Sequence, residues 1–272
     1  MKADKYKKSY PRKTVTASMK KIALITGASS GIGREFVRKI AAGYPSLNEI
    51  WILARREEAL KKLAEEFPGI AFKILALDLT KTEDLNRLEQ LLKQTHPCIR
   101  ILVNSAGMGK NGPAAEQDWH DGCAMIDLNC RALTAVTMLC LPYLRKGSRI
   151  IQVDSGAAFL PQPGFAIYAA SKAYVLSFDR ALHEELKDRG ITVTSVCPGP
   201  VDTPFFASGG IHLSPAKQIF LTKPEKVAKK ALFDAEAGRP LSIPGFSMRI
   251  VRAAGKLLPH SFLLRLMRLL QI

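Results

Sequence analysis

The sequence of 272 residues predicts one α/β domain built on a doubly wound parallel β-sheet that is flanked by helices. Three observations support this fold class. Short apolar runs alternate with longer segments of helical periodicity, the runs are apolar throughout, and a glycine-rich turn directly follows the first of them. Strands without a polar face are typical of parallel sheets that helices cover on both sides.

The elements follow one another in regular alternation. The predicted strands are residues 22–26, 50–54, 72–77, 100–104, 149–153 and 192–196, with a last short strand near Leu241 to Ile243. Helical periodicity is clearest at residues 57–66, 82–94, 120–144 and 168–189. This pattern predicts a single domain at residues 20–245, preceded by a disordered basic tail at residues 1–19 and followed by an amphipathic helical extension at residues 246–272.

The net charge of +16 is concentrated at the two ends of the chain. Residues 1–21 carry +7 and residues 246–272 carry +5, which leaves only +4 for the domain between them. A basic surface for nucleic acid is therefore not expected on the domain. The basic tail has no apolar run, so we expect neither a signal peptide nor a membrane anchor there. No segment has the roughly 18 consecutive apolar residues of a membrane-spanning helix.

The five cysteines form neither a CxxC pair nor a metal-ligand spacing, and their odd number argues against a complete disulfide framework. The sequence therefore predicts no metal site, and it predicts a reducing compartment such as the cytoplasm.

The first strand leads directly into the glycine-rich segment TGASSGIG, residues 26–33. Glycines at positions 27, 31 and 33 permit a tight turn and a close approach of the backbone to a ligand. The following helix would present unpaired N–H groups to a pyrophosphate. A strand–helix turn without a ligand is the alternative, but its place after the first strand of a βαβ pattern favours a Rossmann-type dinucleotide site.

The second predicted strand ends at Ala54 and is followed by Arg55 and Arg56. Sites for NAD often place an acidic residue here to bind the ribose hydroxyls. Two guanidinium groups suit a 2′-phosphate instead, because arginine pairs with phosphate in a forked, charge-assisted geometry. NADP(H) is therefore favoured over NAD(H), and a solvated helix start is the alternative.

Tyr168 and Lys172 are four residues apart in a predicted helix, so their side chains share one face. Ser155 follows the strand 149–153, at the edge where an open α/β sheet forms its ligand crevice. The three residues could form a proton-transfer centre, or they could be a core aromatic, a packed lysine and an ordinary turn hydroxyl.

These motifs together resemble the classical short-chain dehydrogenase/reductase family, in the expected order from about Lys20 to Gly245. The matching segments also include LDLT (77–80), NSAG (104–107), DLN (127–129), VDSGAA (153–158) and PGPVDTPF (198–205). The second residue of NSAG, Ser105, departs from the more usual asparagine. The resemblance implies a homodimer or homotetramer and a small carbonyl or alcohol substrate.

The resemblance also implies a role for each matching position. The implied catalytic residues are Asn129, Ser155, Tyr168 and Lys172. The implied cofactor-binding residues are Gly27, Ser29, Ser30, Gly31, Ile32, Gly33, Arg55, Arg56, Asp78, Leu79, Asn104, Ala106, Gly107, Tyr168, Lys172, Pro198, Gly199, Val201 and Thr203.

Each catalytic residue has an expected task. Tyr168 would donate a proton in carbonyl reduction or accept one in alcohol oxidation, with its pKa lowered by the lysine cation and by an oxidised nicotinamide ring. Ser155 would bind the substrate oxygen, and Lys172 would also orient the nicotinamide ribose. Asn129 would hold a water molecule in a proton relay.

The residues expected around the substrate are mostly apolar, in the segments 156–166 and 203–220. They are Phe159, Leu160, Phe165, Phe205, Phe206, Ile211, Leu213 and Phe220. Such a lining suits a hydrophobic carbonyl compound or secondary alcohol, although the same side chains could belong to a lid that packs on the domain. Gly209 and Gly210 would let that lid move.

The extension at residues 246–272 carries five basic residues and no acidic residue among many apolar side chains. Its helix is too apolar to be left in water. Three roles remain open: contact with an anionic membrane surface, subunit packing, and folding back over the substrate cleft. A similar basic, apolar tail is found in the DltE-like reductases of the family.

Two further classes of function remain as alternatives to a reductase. A sensor or interaction protein on the same fold would bind NADP(H) without turnover. Electrostatic binding of nucleic acid by the two basic ends would depend steeply on salt concentration.

Overall fold

The structure is a computed structural model that describes residues 19–211 and 220–270. The predicted tail, apart from Met19, lies outside the described residues, and so does Leu213 of the predicted substrate lining.

The described residues form a seven-stranded sheet in which all neighbouring strands are parallel, in the order β3-β2-β1-β4-β5-β6-β7. The strands are β1 (Lys21–Thr26), β2 (Glu49–Ala54), β3 (Phe72–Ala76), β4 (Cys98–Asn104), β5 (Leu144–Val153), β6 (Thr192–Val196) and β7 (Leu241–Ser242). The predicted fold class is confirmed. The strand order reverses between β1 and β4, and a crevice for a ligand forms at such a point.

Ten helices accompany the sheet in the described part of the chain. They are α1 (Gly31–Gly43), α2 (Glu57–Glu65), α3 (Thr82–Thr95), α4 (Trp119–Ile126), α5 (Leu133–Cys140), α6 (Ala166–Lys187), α7 (Phe205–Ser208), α8 (Pro224–Glu236), α9 (Phe246–Leu257) and α10 (His260–Leu270).

The strands bury both of their faces because their apolar residues alternate between two layers. In β1, Ala23 and Ile25 belong to one core cluster, which includes side chains of α1 and α8. Ile22 and Leu24 belong to the other, which includes side chains of α3, α5 and α6. The continuous apolar runs therefore come from burial on both sides of the sheet.

The predicted helix 120–144 is divided in the structure. A π-helical turn, Asp127–Ala132, separates α4 from α5, and a 3₁₀ turn containing Pro142 ends the segment before β5 begins at Leu144. By length and composition alone, the stretch Trp119–Tyr143 could cross a membrane. Part of it is buried inside the domain, and core helices of globular proteins pass the same test.

The C-terminal helices pack against the domain. The Met248 side chain of α9 lies beside Gly156 and Gly199, in the segments that follow β5 and β6. Gly255 of the same helix approaches the backbone of Phe159 so closely that a Cβ atom would lie 2.7 Å from the Phe159 oxygen. One side of α9 thus lies over the two loops that border the predicted site.

Candidate active site

The glycine-rich turn joins β1 to α1 and is held against the end of β4. The Thr26 hydroxyl accepts hydrogen bonds from the backbone N–H groups of Ser105, at 3.1 Å, and Ala106, at 3.2 Å. A Cβ atom at Gly27 would lie 2.7 Å from the Ala106 nitrogen, and Gly27 has a φ of +66°. Only glycine fits there. Ser105 takes part through its backbone, so its departure from asparagine leaves this contact intact.

Sequence reasoning did not assign a role to Thr26. Its place as the last residue of the strand before the glycines was the available signal.

The residues around the start of α1 fit a pyrophosphate. The first turn of α1 contains no acidic residue, and Ser30, the residue before the helix, makes no side-chain capping hydrogen bond. The Ser30 hydroxyl and the first N–H groups of α1 are thus available to an anion. A Cβ atom at Gly33 would overlap the Gly27 carbonyl group, so the turn keeps its shape only with glycine at this position.

Two arginines follow β2 beside this turn. Arg56 donates a hydrogen bond of 3.0 Å from Nη2 to the Ser29 hydroxyl, which brings a guanidinium group to the glycine-rich turn. Burial alone would raise the pKa of Asp78, but hydrogen bonds from Thr80 and the positive charge of Arg55 lower it. The structure thus brings both arginines to the edge of the sheet where the sequence predicted the cofactor.

Not every predicted cofactor residue directs its side chain toward this edge. Leu79 and Val201 are buried in the two core clusters, and Asn104 Nδ2 donates to the Thr137 hydroxyl at 3.0 Å. These residues could border a cofactor mainly through their backbones. Thr203 lies close to the glycine-rich turn, because a Cβ atom at Gly31 would be 3.1 Å from its methyl group.

The remaining predicted cofactor residues surround the same crevice. Ile32 lies in α1, Ala106 and Gly107 follow β4, and Pro198 and Gly199 follow β6.

Ser155, Tyr168 and Lys172 come together at the end of β5. The Ser155 hydroxyl lies close enough to Tyr168 to lower its pKa, and Ser155 Oγ accepts from the Ala157 N–H at 3.1 Å. Lys172 Nζ lies 5.8 Å from the centroid of the Tyr168 ring and donates to the Val153 carbonyl oxygen at 2.9 Å. The helical spacing has thus placed the tyrosine and the lysine on one face of α6.

The protonation of this centre differs from the expectation for Tyr168. Burial raises the pKa of Tyr168, and the neighbouring Ser155 hydroxyl only partly opposes that effect. Burial also lowers the pKa of Lys172, while the negative charge of Asp154 acts in the opposite direction. In the protein alone, the predicted lowering of the Tyr168 pKa does not occur, because desolvation and the negative charge of Asp154 both raise that pKa.

Asn129 is fully buried in the π-helical turn. Its Oδ1 accepts from the Met108 N–H at 2.9 Å, and its Nδ2 donates to the Met108 oxygen at 2.8 Å and to the Ser171 hydroxyl at 3.0 Å. The carboxamide thus connects the loop after β4 to α6. Gly107 lies in that loop, and a Cβ atom there would be 3.2 Å from Asn129 Oδ1 and 3.7 Å from Lys172 Nζ.

Aromatic side chains cover the centre. The Phe165 ring stacks on Tyr168 at a centroid distance of 4.3 Å, and the Phe205 ring of α7 lies 5.6 Å from it. Gly209, just after α7, packs against the Gly109 carbonyl group with no space for a side chain. Helix α7 therefore lies over Tyr168 as a closed cover.

Other residues of the predicted substrate lining lie elsewhere. Phe159 and Leu160 line an apolar cavity of about 370 Å³ between the segment after β5, α6 and α10. His260 and Leu264 of α10 complete its wall. Part of the predicted substrate lining thus covers Tyr168, and another part lines this separate cavity.

A group of buried polar residues lies behind Lys172, and sequence reasoning did not assign a role to any of them. Asp154, Asp179 and Cys197 are almost completely buried there. Asp154 directly precedes Ser155, which was the available signal. Among the described residues, no group of three or more His, Cys, Asp or Glu side chains is arranged to hold a metal ion.

Residues 21–210 match the short chain dehydrogenase family. The chain is similar to sulfoacetaldehyde reductase 2 of Chromohalobacter salexigens, with 36% identity over 193 residues, 69% of this chain and 75% of that protein.

Two solved structures are also similar. A short-chain dehydrogenase from Sphingobium yanoikuyae in complex with NADPH has a TM-score of 0.75 and 29% identity, covering 88% of this chain and 93% of that chain. The bulky-bulky ketone specific alcohol dehydrogenase from Comamonas testosteroni has a TM-score of 0.68 and 26% identity, covering 83% and 86%.

Proposed function

The chain belongs to the short-chain dehydrogenase family, and from this premise we propose that it is an NADP(H)-dependent reductase of hydrophobic ketones or aldehydes, also able to oxidise the corresponding alcohols. The observation that carries the proposal is the meeting of the buried Tyr168 and Lys172 with the half-buried Ser155, beside the loops that follow β4 and β5. A purely structural tyrosine would not require a lysine and a serine hydroxyl at the same place.

The residues of the chain would divide the work as follows. The nicotinamide cofactor supplies or accepts the hydride. Tyr168, protonated because of its raised pKa, gives its hydroxyl proton to the carbonyl oxygen as the alcohol forms. The Ser155 hydroxyl donates a hydrogen bond to the same oxygen and stabilises its developing charge. Lys172 stabilises the phenolate that remains, and Asn129 holds Gly107 and its loop against that lysine.

NADP(H) is favoured over NAD(H) because of Arg55 and Arg56. The Arg56 guanidinium already contacts Ser29 in the glycine-rich turn, where a 2′-phosphate on the adenosine ribose would meet it. The similar enzyme from Sphingobium yanoikuyae is described in complex with NADPH.

The cover of Tyr168 supports a hydrophobic substrate. Phe165 and Phe205 contact the tyrosine ring, and Met108 and Met125 lie in the same apolar cluster. Together with Met248 beside Gly199, they would surround a carbonyl compound with apolar atoms and exclude water. The similar dehydrogenase from Comamonas testosteroni is specific for bulky-bulky ketones, whereas the Chromohalobacter relative is a reductase of sulfoacetaldehyde.

The substitution Tyr168→Phe tests the proposal. NADPH consumption would first be measured against a panel of ketosteroids, 3-oxoacyl thioesters and small diketones. On the substrate found, Tyr168→Phe should lower kcat by at least about 100-fold, because the proton donor is lost while the aromatic packing is kept.

NADPH binding, measured by nicotinamide fluorescence, should stay within about threefold of wild type in this variant, because phenylalanine removes only one hydroxyl group. The matched control is Tyr143→Phe, in the 3₁₀ turn that precedes β5. Retained turnover in Tyr168→Phe would reject the assignment. NADPH binding by wild type without turnover on any carbonyl compound would favour the sensor.

We further propose two contacts for the surface. The exposed apolar residues of α4, α5 and α6 would pack against a second copy of this chain, giving a homodimer or homotetramer. The C-terminal helices would contact an anionic membrane surface with their exposed apolar residues and their five basic residues.

All five cysteines are free, which supports action in the cytoplasm.

A further inference from the structure

A buried polar network surrounds Lys172 of the proton-transfer centre. Asp154 and Asp179 are 3% and 1% exposed, and Lys172 is 4% exposed. Each carboxyl group has one hydrogen-bonded oxygen: Asp154 Oδ2 accepts from Cys197 Sγ at 3.6 Å, and Asp179 Oδ2 accepts from the Ser195 hydroxyl at 2.9 Å. The other oxygen, Oδ1 in both residues, is buried without a hydrogen-bond partner in the structure.

Charge balance limits the protonation states of this network. A buried ammonium group is costly unless an anion lies close to it. Two carboxylates in one buried site cannot both be ionised cheaply, because their charges repel each other. The balanced state therefore contains a charged Lys172, one ionised carboxylate and one protonated carboxyl group.

The hydrogen bonds around Gln152 identify the protonated carboxyl group. The Thr137 hydroxyl gives its single proton to the Leu133 carbonyl oxygen at 2.7 Å, so it can only accept from its other neighbours. Gln152 must therefore turn Nε2 toward Thr137, to which it donates at 3.0 Å. This fixes the orientation of the amide group and leaves Oε1, an acceptor, on the other side.

Gln152 Oε1 and Asp179 Oδ1 are both buried without a partner. The two side chains are neighbours, because Gln152 pairs with Ser195 across β5 and β6 and the Ser195 hydroxyl donates to Asp179 Oδ2. Two acceptors there would repel. A proton on Asp179 makes it the donor and gives both atoms a partner in one hydrogen bond. Burial and the negative charge of Asp154 also raise the pKa of Asp179 well above its usual range.

The surroundings of Asp154 favour the ionised carboxylate. Lys172 Nζ donates to the carbonyl oxygen of Val153, the residue directly before Asp154, at 2.9 Å, and the negative charge of Asp154 acts on Lys172. Burial raises the pKa of Asp154 to about 7, and the charge of Lys172 limits that rise.

We propose that Asp154 is a positioning residue for the proton-transfer centre: its carboxylate is the counter-ion of Lys172, while Asp179 stays protonated and donates to Gln152. The proposal rests on the proposed function of Ser155, Tyr168 and Lys172. It assigns opposite protonation states to two buried aspartates that the composition and spacing of the sequence do not distinguish.

The counter-ion has a definite effect on the pH dependence of carbonyl reduction. The titratable groups that face this network are Tyr168, Lys172 and Asp179 from α6, Cys197 after β6 and Cys130 from the π-helical turn. Ionised Asp154 raises the pKa of both Tyr168 and Lys172. Reduction needs both groups protonated, so removal of the Asp154 charge should shift the alkaline limb of the kcat profile to lower pH.

The test compares two isosteric variants, Asp154→Asn and Asp179→Asn, by kcat against pH for NADPH-dependent reduction. Asp154→Asn should shift the alkaline limb downward by on the order of one pH unit and remove the inflection that Asp154 contributes near pH 7. Asp179→Asn should keep both features, because the amide group of asparagine donates to Gln152 Oε1 as the protonated acid does. Equal shifts in the two variants, or a shift only in Asp179→Asn, would overturn the proposal.

A measurement without turnover separates this proposal from the proposed function. The infrared difference spectrum of wild type minus Asp179→Asn, at a pH above 8 and without substrate, should contain the carbonyl stretch of a protonated carboxylic acid. Without that band, Asp179 is ionised and the assignment fails, whatever the enzyme reduces. If the band is present but Tyr168→Phe retains turnover, the assignment of Asp179 holds and only the proposed function fails. Circular dichroism and NADPH binding establish that each variant is folded.

Discussion

At the scale of single residues, burial decides the protonation of the candidate site. Tyr168 and Lys172 are both buried, and desolvation raises the pKa of the first and lowers that of the second. Both effects disfavour the charged form of the side chain. In the protein alone the Tyr168 phenol is therefore neutral, which is the form that the proposed reduction of a carbonyl group needs.

The choice between NADP(H) and NAD(H) also depends on single residues. Replacing Arg56 with alanine should raise the KM for NADPH by about 10- to 100-fold, because one charge-assisted hydrogen bond to phosphate contributes roughly 1.5–3 kcal/mol. The KM for NADH should change less than about threefold, since NADH lacks that phosphate. Steady-state kinetics with both cofactors would measure this.

Lys187→Ala is the matched control, because Lys187 is an exposed basic residue at the far end of α6 that pairs only weakly with Glu184. Equal losses with NADPH and NADH in Arg56→Ala would contradict a 2′-phosphate contact.

At the scale of elements, the turn between β1 and α1 owes its shape to contacts that exclude side chains. Gly27 approaches the backbone of Ala106, and Gly33 approaches the Gly27 carbonyl group. The Thr26 hydroxyl connects the same turn to the end of β4. Two neighbouring strands thus hold the N–H groups of α1 at the switch point of the sheet.

Gly33→Ala should therefore weaken NADPH binding by at least about tenfold, because the methyl group would push α1 away from the turn and misplace its first N–H groups. Fluorescence titration with NADPH would measure the affinity. Gly69→Ala is the control, since a Cβ atom at Gly69 meets nothing within 4 Å. An unchanged affinity in Gly33→Ala would show that the turn does not hold the pyrophosphate.

The π-helical turn is a second element with a local purpose. Its extra residue places Asn129 between the loop after β4 and α6, where the carboxamide uses both its donor and its acceptor. Single π-helical turns inside α-helices are frequent at functional sites. A water relay at Asn129 remains a prediction, and the structure adds that this side chain fixes the position of Met108.

At the scale of the whole molecule, the surface has two apolar regions that the described part of the chain leaves uncovered. One lies on α4, α5 and α6, where Trp119, Met138 and Tyr174 are exposed. Thr134 and Tyr174 are hydrogen bonded to each other at 2.8 Å, and Met138 lies one turn after Thr134, so α5 and α6 present a common face. The other region lies on the C-terminal helices.

The first region should be the subunit interface. Met138→Glu should convert the oligomer to a monomer, because a buried unpaired carboxylate in an apolar interface costs several kcal/mol. Light scattering coupled to size-exclusion chromatography would give the mass. Phe233→Glu, at an exposed position on α8, should leave the mass unchanged. The prediction fails if Met138→Glu keeps the wild-type mass, or if wild type is already a monomer.

The second region should bind anionic lipid. Wild type should sediment with phosphatidylglycerol vesicles and not with phosphatidylcholine vesicles, because its basic residues lie among exposed apolar side chains. Replacing both Phe262 and Leu269 with serine should reduce the bound fraction severalfold, and Phe233→Ser is the matched control. If wild type binds neither kind of vesicle, the exposed face of these helices has another partner.

The sequence by itself determined the order of strands and helices, the glycine-rich turn and the spacing of Tyr168 and Lys172, because these depend on neighbours along the chain. Periodicity identified six strands to within a few residues, except that β5 begins at Leu144 and not near 149. The π-helical turn was not predicted, since a single extra residue leaves the apolar pattern almost unchanged.

Only the tertiary structure decided which groups share a buried environment. Asp154, Asp179 and Lys172 meet from two segments of the chain, and their protonation states depend on one another because all three are buried together. The packing of α9 over Gly156 and Gly199, and of Phe205 over Tyr168, also joins segments distant in sequence. Burial and pKa are properties of the assembled interior, so the local pattern that predicts a helix cannot specify them.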